Sequence, residues 1–165
     1  ILLIGGSKSG KSTMGQRLTR AFAAGAPMYY WATMEPTDEE DLARIARHLK
    51  DREGWGFETI ERGRDLLPAL ERIDPAGAVL FDSITAQLDC VMFGETIDKT
   101  APARAGEELL TVSRYPEHFI CTCDDLWRGG GRFDEWTELY RAGLAQIWPR
   151  LAAEVDGGRA AWVEV

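Results

Sequence analysis

The stretch Gly5-Gly6-Ser7-Lys8-Ser9-Gly10-Lys11-Ser12 has the spacing G-x-x-x-x-G-K-S, the Walker A pattern of a phosphate-binding loop. Its chemistry follows from its residue types. Glycines let successive backbone N–H groups turn inward around an anionic phosphate, and a helix beginning at the lysine adds the positive end of its dipole. Lys11 is expected to reach the outer phosphates of a nucleoside triphosphate, and Ser12 to offer its hydroxyl to Mg²⁺. Asp82 closes the apolar run Ala78-Val79-Leu80-Phe81. A carboxylate at the end of a buried strand can hold Mg²⁺ beside such a loop, directly or through water, in the Walker B manner. The same residue could instead cap the helix that follows it.

A second constellation lies between residues 38 and 52. Leu42, Ile45, Ala46 and Leu49 form an apolar face at helical spacing. Asp41, Arg44, His48 and Arg52 fall at i, i+3, i+7 and i+11 and share one edge beside that face. An arginine one turn before His48 and another one turn after it disfavour imidazolium, and neutral imidazole is the nucleophilic form. The guanidiniums could bind phosphate oxygens bidentately. This pattern suits attack on an α-phosphate, but by its residues alone it is more often a solvated helix edge with an incidental histidine.

These groups need a frame. Apolar runs predict strands over 1–5, 28–33, 57–61, 78–82, 119–123 and 160–165. Helices are expected over 11–24, 38–52 (capped by Thr37 or Asp38), 64–73, 83–93 and about 103–113. Trp136, Leu139, Tyr140, Leu144, Ile147 and Leu151 mark a last helix, which Pro149 should kink or interrupt. Residues 94–106, with Gly94, Pro102 and Gly106, read as a loop or mobile excursion, and Gly129-Gly130-Gly131 as a flexible break. Alternating strands and helices imply a mostly parallel sheet covered on both faces. With the phosphate loop, the expected class is α/β, a P-loop NTPase (RecA-like) three-layer sandwich. Ligands in such sheets bind at the carboxyl ends of strands. There the sequence places the phosphate loop, Thr33, Glu61, Asp82 and Asp124.

At 165 residues the chain is expected to form one domain, 1–165. Its net charge of −8 argues against a nucleic-acid binder that relies on an overall basic surface. No apolar run approaches a membrane span, and no signal peptide precedes the first strand, so a cytoplasmic location is expected. Three cysteines make no disulfide framework; Cys121 and Cys123 lie on one face of a strand and suit core packing better than zinc. His118 opens the same strand with no evident partner. Trp127 and Trp136 flank the glycines and suit either packing or stacking on a planar ligand.

The phosphate loop resembles the G-G-x-R-S-G-K-S loop of the bifunctional adenosylcobinamide kinase/adenosylcobinamide-phosphate guanylyltransferase family. Tyr30-Trp31-Ala32-Thr33 looks like that family's Y-I-A-T strand. Asp38-Glu39-Glu40 followed by Arg44-Ile45-Ala46-Arg47-His48 is similar to its D-x-E-M-x-x-R-I-x-x-H helix. Phe57-Glu58-Thr59-Ile60-Glu61 resembles W-x-T-x-E, and Leu80-Phe81-Asp82-Ser83-Ile84-Thr85 resembles L-L-D-C-L-T. The resemblance covers residues 1 to about 93. Beyond it, Cys121-Thr122-Cys123-Asp124-Asp125 stands where the family has V-S-N-E-V-G-x-G, and Trp148-Pro149 near its R-L-N-Q.

The resemblance implies a two-step chemistry. ATP or GTP phosphorylates the aminopropanol hydroxyl of adenosylcobinamide, and GMP from GTP is then moved to that phosphate through a guanylyl-histidine. His48 matches the nucleophile. Lys11 and Ser12 match the triphosphate and Mg²⁺ ligands. Thr33, Met34, Glu35, Leu49, Lys50, Asp51, Arg52, Glu61 and Asp82 match nucleotide-contacting positions. A corrinoid acceptor and a homo-oligomer, in this family a trimer, are further implications. Two alternatives stand beside it: a P-loop kinase for another small hydroxylated acceptor, and a nucleotide-binding module without turnover.

Overall fold

The computed structural model describes residues 1–93, 96–126, 133–153 and 162–164. Trp127 and the Gly129–Gly131 run fall outside the described residues. The strands are β1 (Leu2–Gly5), β2 (Met28–Ala32), β3 (Phe57–Glu61), β4 (Ala78–Asp82), β5 (His118–Asp124) and β6 (Trp162–Glu164). Every pairing among them is parallel, in the order β3-β2-β4-β5-β1-β6. The helices are α1 (Lys11–Ala23), α2 (Glu39–Asp51), α3 (Ile84–Met92), α4 (Ala101–Ser113) and α5 (Glu135–Ala153).

Alternating strand residues build two apolar layers. Leu3, Tyr30, Leu80 and Ile120 point to one face, where Leu18 of α1 packs on them. Leu2, Ile4, Trp31, Val79, Phe81, Cys121 and Cys123 point to the other, against Ile84 and Leu88 of α3, Leu109 of α4 and Leu144 of α5. Burial on both sides explains why these strands read as continuous apolar runs. The result is a three-layer α/β arrangement with the phosphate loop between β1 and α1. Cys121 and Cys123 are core residues, and burial pushes both thiols up to about 12. His118 has a partner after all: its ring lies 5.3 Å from that of Phe22.

Three sequence expectations are corrected, the last in one of its two alternatives. Helix α4 starts at Ala101, inside the stretch read as a loop: Asp98 accepts from the backbone N–H of Thr100 at 2.8 Å, and Pro102 sits in the first turn, where its missing N–H costs nothing. The stretch 64–73 contains only a 3₁₀ segment, Leu67–Arg72, with Pro68 at its start. Helix α5 runs on through Pro149. Leu144, Ile147 and Leu151, on both sides of the proline, are buried in the core, and that burial holds the segment helical against the lost backbone bond. On the apolar face of α2, Leu42 is 55% and Leu49 44% exposed among the described residues. The helix itself is capped as expected, with Asp38 accepting from the Asp41 N–H at 2.9 Å and Thr37 Oγ1 donating to the Asp41 carboxylate at 3.0 Å.

The loop after β3 closes tightly over the end of β2. Trp31 Nε1 donates to the Arg62 carbonyl at 2.9 Å, and a Cβ at Gly63 would run into the Thr33 carbonyl oxygen and lie 2.9 Å from Cys90 Sγ. Gly63→Ala is therefore expected to cost about 2 kcal/mol through overpacking. Thermal denaturation followed by circular dichroism should show the midpoint falling by about 4–8 °C.

Candidate nucleotide site

The phosphate loop leaves β1 at Gly5 and enters α1 at Lys11. Gly6 to Gly10 are exposed, while Lys11 is 8% exposed. Gly10 caps α1 with a φ of 96°, in the left-handed region that a glycine enters without steric cost, and Lys8 also has a positive φ, 59°. Lys11 Nζ donates to the Gly6 carbonyl at 2.6 Å and ion-pairs with Asp124 Oδ1 at 2.8 Å. Its ammonium thus lies folded back over the loop. Asp124 ends β5, directly beside Gly5 in the parallel register.

Asp82 ends β4 beside Ala32 of β2. The Tyr30 hydroxyl donates to its Oδ2 and the Thr122 hydroxyl to its Oδ1, each in a short hydrogen bond. It does not cap α3: Ser83 does, accepting from the Ala86 N–H at 3.1 Å. Thr33, fully buried, donates through Oγ1 to the Ser83 carbonyl at 2.7 Å and accepts from the Ser83 N–H at 2.8 Å. Thr33 thereby clamps the backbone just after Asp82. Its hydroxyl donates once and accepts once in this arrangement, and one acceptor lone pair is left over.

Arg52 is the largest departure from the helical-edge reading. It follows the last residue of α2 as its cap, and its guanidinium turns down onto the sheet. It lies 3.9 Å from the centroid of the Tyr30 ring, donates through Nη2 to Thr59 Oγ1 at 3.3 Å, and is 6% exposed. It is therefore not an exposed phosphate clamp in line with His48. Burial lowers the Arg52 guanidinium from its ordinary value, against the opposing pull of Tyr30, Asp82 and Glu61. Burial, and then the adjacent Asp82 carboxylate, raises the Tyr30 phenol well above its ordinary value, so it stays a donor.

The remaining sequence-derived positions fall around this centre. His48 is half-buried in the last turn of α2, flanked by the exposed Leu49 and Lys50. The backbone of Arg44 and Asp51 is helical, and their side chains lie outside the described residues. Glu61 ends β3 beside Ala32. Met34 and Glu35 lie in the segment between β2 and α2; Glu35 is held by Arg64, whose Nε reaches both of its carboxylate oxygens at 3.0 and 3.1 Å. Trp136 is 39% exposed, with Lys99 Nζ 5.2 Å from its ring. Tyr30 and Thr122 were not singled out from sequence. The signal available was their period-2 offset from strand-end residues, two positions before Ala32 and before Asp124, which puts them on the face that carries the loop.

The donor set suits Mg²⁺. Ser12 and Asp82 offer hard oxygens, and a carboxylate whose two oxygens each accept one hydroxyl still has lone pairs for a metal or its waters. Among the described residues no cluster of three or more His, Cys, Asp or Glu side chains could hold a metal alone.

A phosphate loop between the first strand and helix of an all-parallel sheet, with an acidic residue ending each of two neighbouring strands, defines a P-loop nucleotide-binding protein. Residues 1–161 match the CobU family model, described as cobinamide kinase / cobinamide phosphate guanyltransferase, and the chain belongs to that family of nucleotide-dependent transferases of cobalamin biosynthesis. No curated protein matches the chain. Among solved structures it is similar to the flagellar accessory protein FlaH from Methanocaldococcus jannaschii, at 19% identity and a TM-score of 0.41. That likeness covers 90% of this chain and 66% of the other, just under two thirds of its length. Among the described residues no helix is long and apolar enough to cross a membrane.

The Lys11–Asp124 pair makes a direct prediction. A triphosphate drawn to Lys11, as the phosphate-loop motif leads one to expect, would compete with Asp124 for one ammonium and be repelled by that carboxylate. Asp124→Asn should tighten triphosphate binding in EDTA by about three- to tenfold, a modest effect because the pair is partly exposed. Lys11→Ala should weaken it. Equilibrium dialysis with labelled GTP measures both.

Proposed function

We propose that this chain is a bifunctional adenosylcobinamide kinase and adenosylcobinamide-phosphate guanylyltransferase. The observation that carries this reading is the family match over residues 1–161. A complete phosphate loop and a histidine on the helix whose end is anchored over Tyr30 support it. In the first step the acceptor hydroxyl oxygen attacks the γ-phosphorus, the bond from that phosphorus to the β-bridging oxygen breaks, and the proton leaves to solvent or a nearby carboxylate. Lys11 swings from Asp124 to the outer phosphates, and the N–H groups of Gly6 to Lys11 surround them. Mg²⁺, held by Ser12 and by Asp82 directly or through water, would neutralise charge on the phosphates.

In the second step an unprotonated nitrogen of His48 attacks the α-phosphorus of GTP and pyrophosphate departs. The acceptor's phosphate oxygen then displaces the imidazole, leaving GMP joined to the acceptor. Splitting the transfer this way lets one phosphate loop hold the leaving pyrophosphate while the histidine holds the nucleotide. Met34, Glu35, Leu49, Lys50, Asp51 and Glu61 are proposed to border the nucleotide, Arg52 to act from beneath it, and ATP to serve the first step alongside GTP. The exposed Leu42 and Leu49 fit a second copy of the chain, in keeping with a homo-oligomer. A single domain acting in the cytoplasm completes the proposal.

Incubation with α-labelled GTP tests it. Acid-labile label should appear on the protein and fall in His48→Ala to about 1% or less of the parental level, as for loss of an essential nucleophile. Phosphoryl transfer to adenosylcobinamide should persist in that variant. Absence of label under conditions of tight GTP binding would overturn the histidine mechanism and leave a P-loop kinase.

A further inference from the structure

Asp82 does not stand alone at the end of β4. Its two oxygens are taken by two hydroxyls from opposite sides, Tyr30 on β2 and Thr122 on β5. The register makes this possible: Tyr30 lies one pleat below Ala32, the neighbour of Asp82, and β5 continues past the partner of Phe81 to bring Thr122 alongside. Two donors from separate strands leave the carboxylate one orientation. Such outer partners govern how well an acidic group serves a metal.

The Tyr30 ring carries a second load. Arg52 stacks on it at 3.9 Å, with Thr59 Oγ1 as the hydrogen-bond partner of the guanidinium. A cation 6% exposed would be expensive to bury without compensating negative potential. That potential comes from the Tyr30 phenol together with the nearby Asp82 and Glu61 carboxylates. A hydroxyl that donates to a carboxylate makes its ring more electron-rich, and the face of that ring is what the guanidinium meets. Asp82, Tyr30 and Arg52 thus alternate in polarity from one contact to the next. Arg52 is the residue immediately after α2 and lies four positions beyond His48.

We infer that Tyr30 and Arg52 are positioning residues for Asp82, through which the placement of the His48 helix and the metal-side carboxylate are coupled. The inference rests on the reading of Asp82 as the carboxylate that serves Mg²⁺. Thr122 shares the orienting role, and Arg52 bears on Asp82 through the Tyr30 ring it stacks on as well as through its own charge. When Arg52 is seated, α2 is anchored at its end and the Tyr30 hydroxyl is aimed at Oδ2. When it is not, the phenol loses the cation that holds its ring, and the carboxylate becomes freer to rotate.

Mg²⁺ titrations of GTP binding, read by calorimetry or by a fluorescent GTP analogue and repeated in EDTA, test this without any turnover. Tyr30→Phe keeps the ring and the stack but removes the hydroxyl. It should raise the Mg²⁺ midpoint by about tenfold, within the range found for outer-shell partners of metal ligands, and leave the EDTA affinity within about twofold of the parent. Arg52→Met should raise the midpoint in the same direction, and Arg52→Lys, which keeps a cation, should recover part of the loss. In Tyr30→Phe/Arg52→Met the two effects should be less than additive, because both act on one carboxylate. Circular dichroism of each variant confirms folding. Asp82→Asn separates the two levels of the argument: it should abolish the Mg²⁺-dependent gain in affinity. If that gain survives in Asp82→Asn, the reading of Asp82 fails. If Asp82→Asn removes it but Tyr30→Phe leaves the midpoint unchanged, the positioning role fails alone. Additive effects in the double variant would overturn the coupling through Arg52.

Discussion

The charge of Lys11 is the constraint around which the carboxyl edge of the sheet is arranged. At 8% exposure an ammonium needs an anion or several acceptors close by. The Gly6 carbonyl and Asp124 supply them. That solution requires β5 to lie directly beside β1, because only then does Asp124 end next to Gly5. The same insertion of β5 between β1 and β4 brings Thr122 to Asp82. One strand therefore provides both a counter-charge to the phosphate loop and a donor to the carboxylate facing it. A phosphate anion could satisfy the Lys11 ammonium in the same way that Asp124 does.

The sheet divides its two faces by task. The face under α3, α4 and α5 is apolar from strand to strand and carries most of the core. The face under α1 is apolar only at its centre, through Leu3, Leu80 and Ile120, and becomes polar towards the strand ends at Asp82, Thr122 and Asp124. On that face the layer beyond α1 is thin. Helix α2 joins it through Arg52 at one end, while Leu42 and Leu49 face outward. A helix anchored chiefly at its end can pivot more readily than one packed along its length, and it carries the histidine of the proposed second step.

Sequence reading went far on the elements and less far on their ends. The loop, α1, β2, β3, β4 and the capped α2 all follow from local signals: glycine spacing, apolar runs, Asp38 at a helix start. The same rules failed where long-range packing outweighed local preference. Pro149 is expected to kink or interrupt a helix; α5 is not interrupted, and three buried apolar residues around the proline hold it together. Pro102 and Gly106 look like loop residues, yet Pro102 is harmless in a first turn and Gly106 lies 3.6 Å from Ile147 by the position its Cβ would take, at a close crossing of α4 and α5. Arg52 continued a helical edge on paper and left it in three dimensions, because Arg52 caps the helix and the Tyr30 ring lay within its reach.

By itself the sequence determined that a phosphate loop follows a buried strand, that an acidic residue ends another, and that a histidine sits in the last turn of a helix. These features arise from residues close together in the chain, where periodicity and spacing carry the information. Only the tertiary structure decided which residues meet at the loop. Tyr30 and Asp82 are 52 positions apart and Thr122 and Asp82 are 40 apart. No local pattern specifies such pairs. They follow from strand order, which is settled by burying both faces of the sheet at once and giving each buried charge a partner.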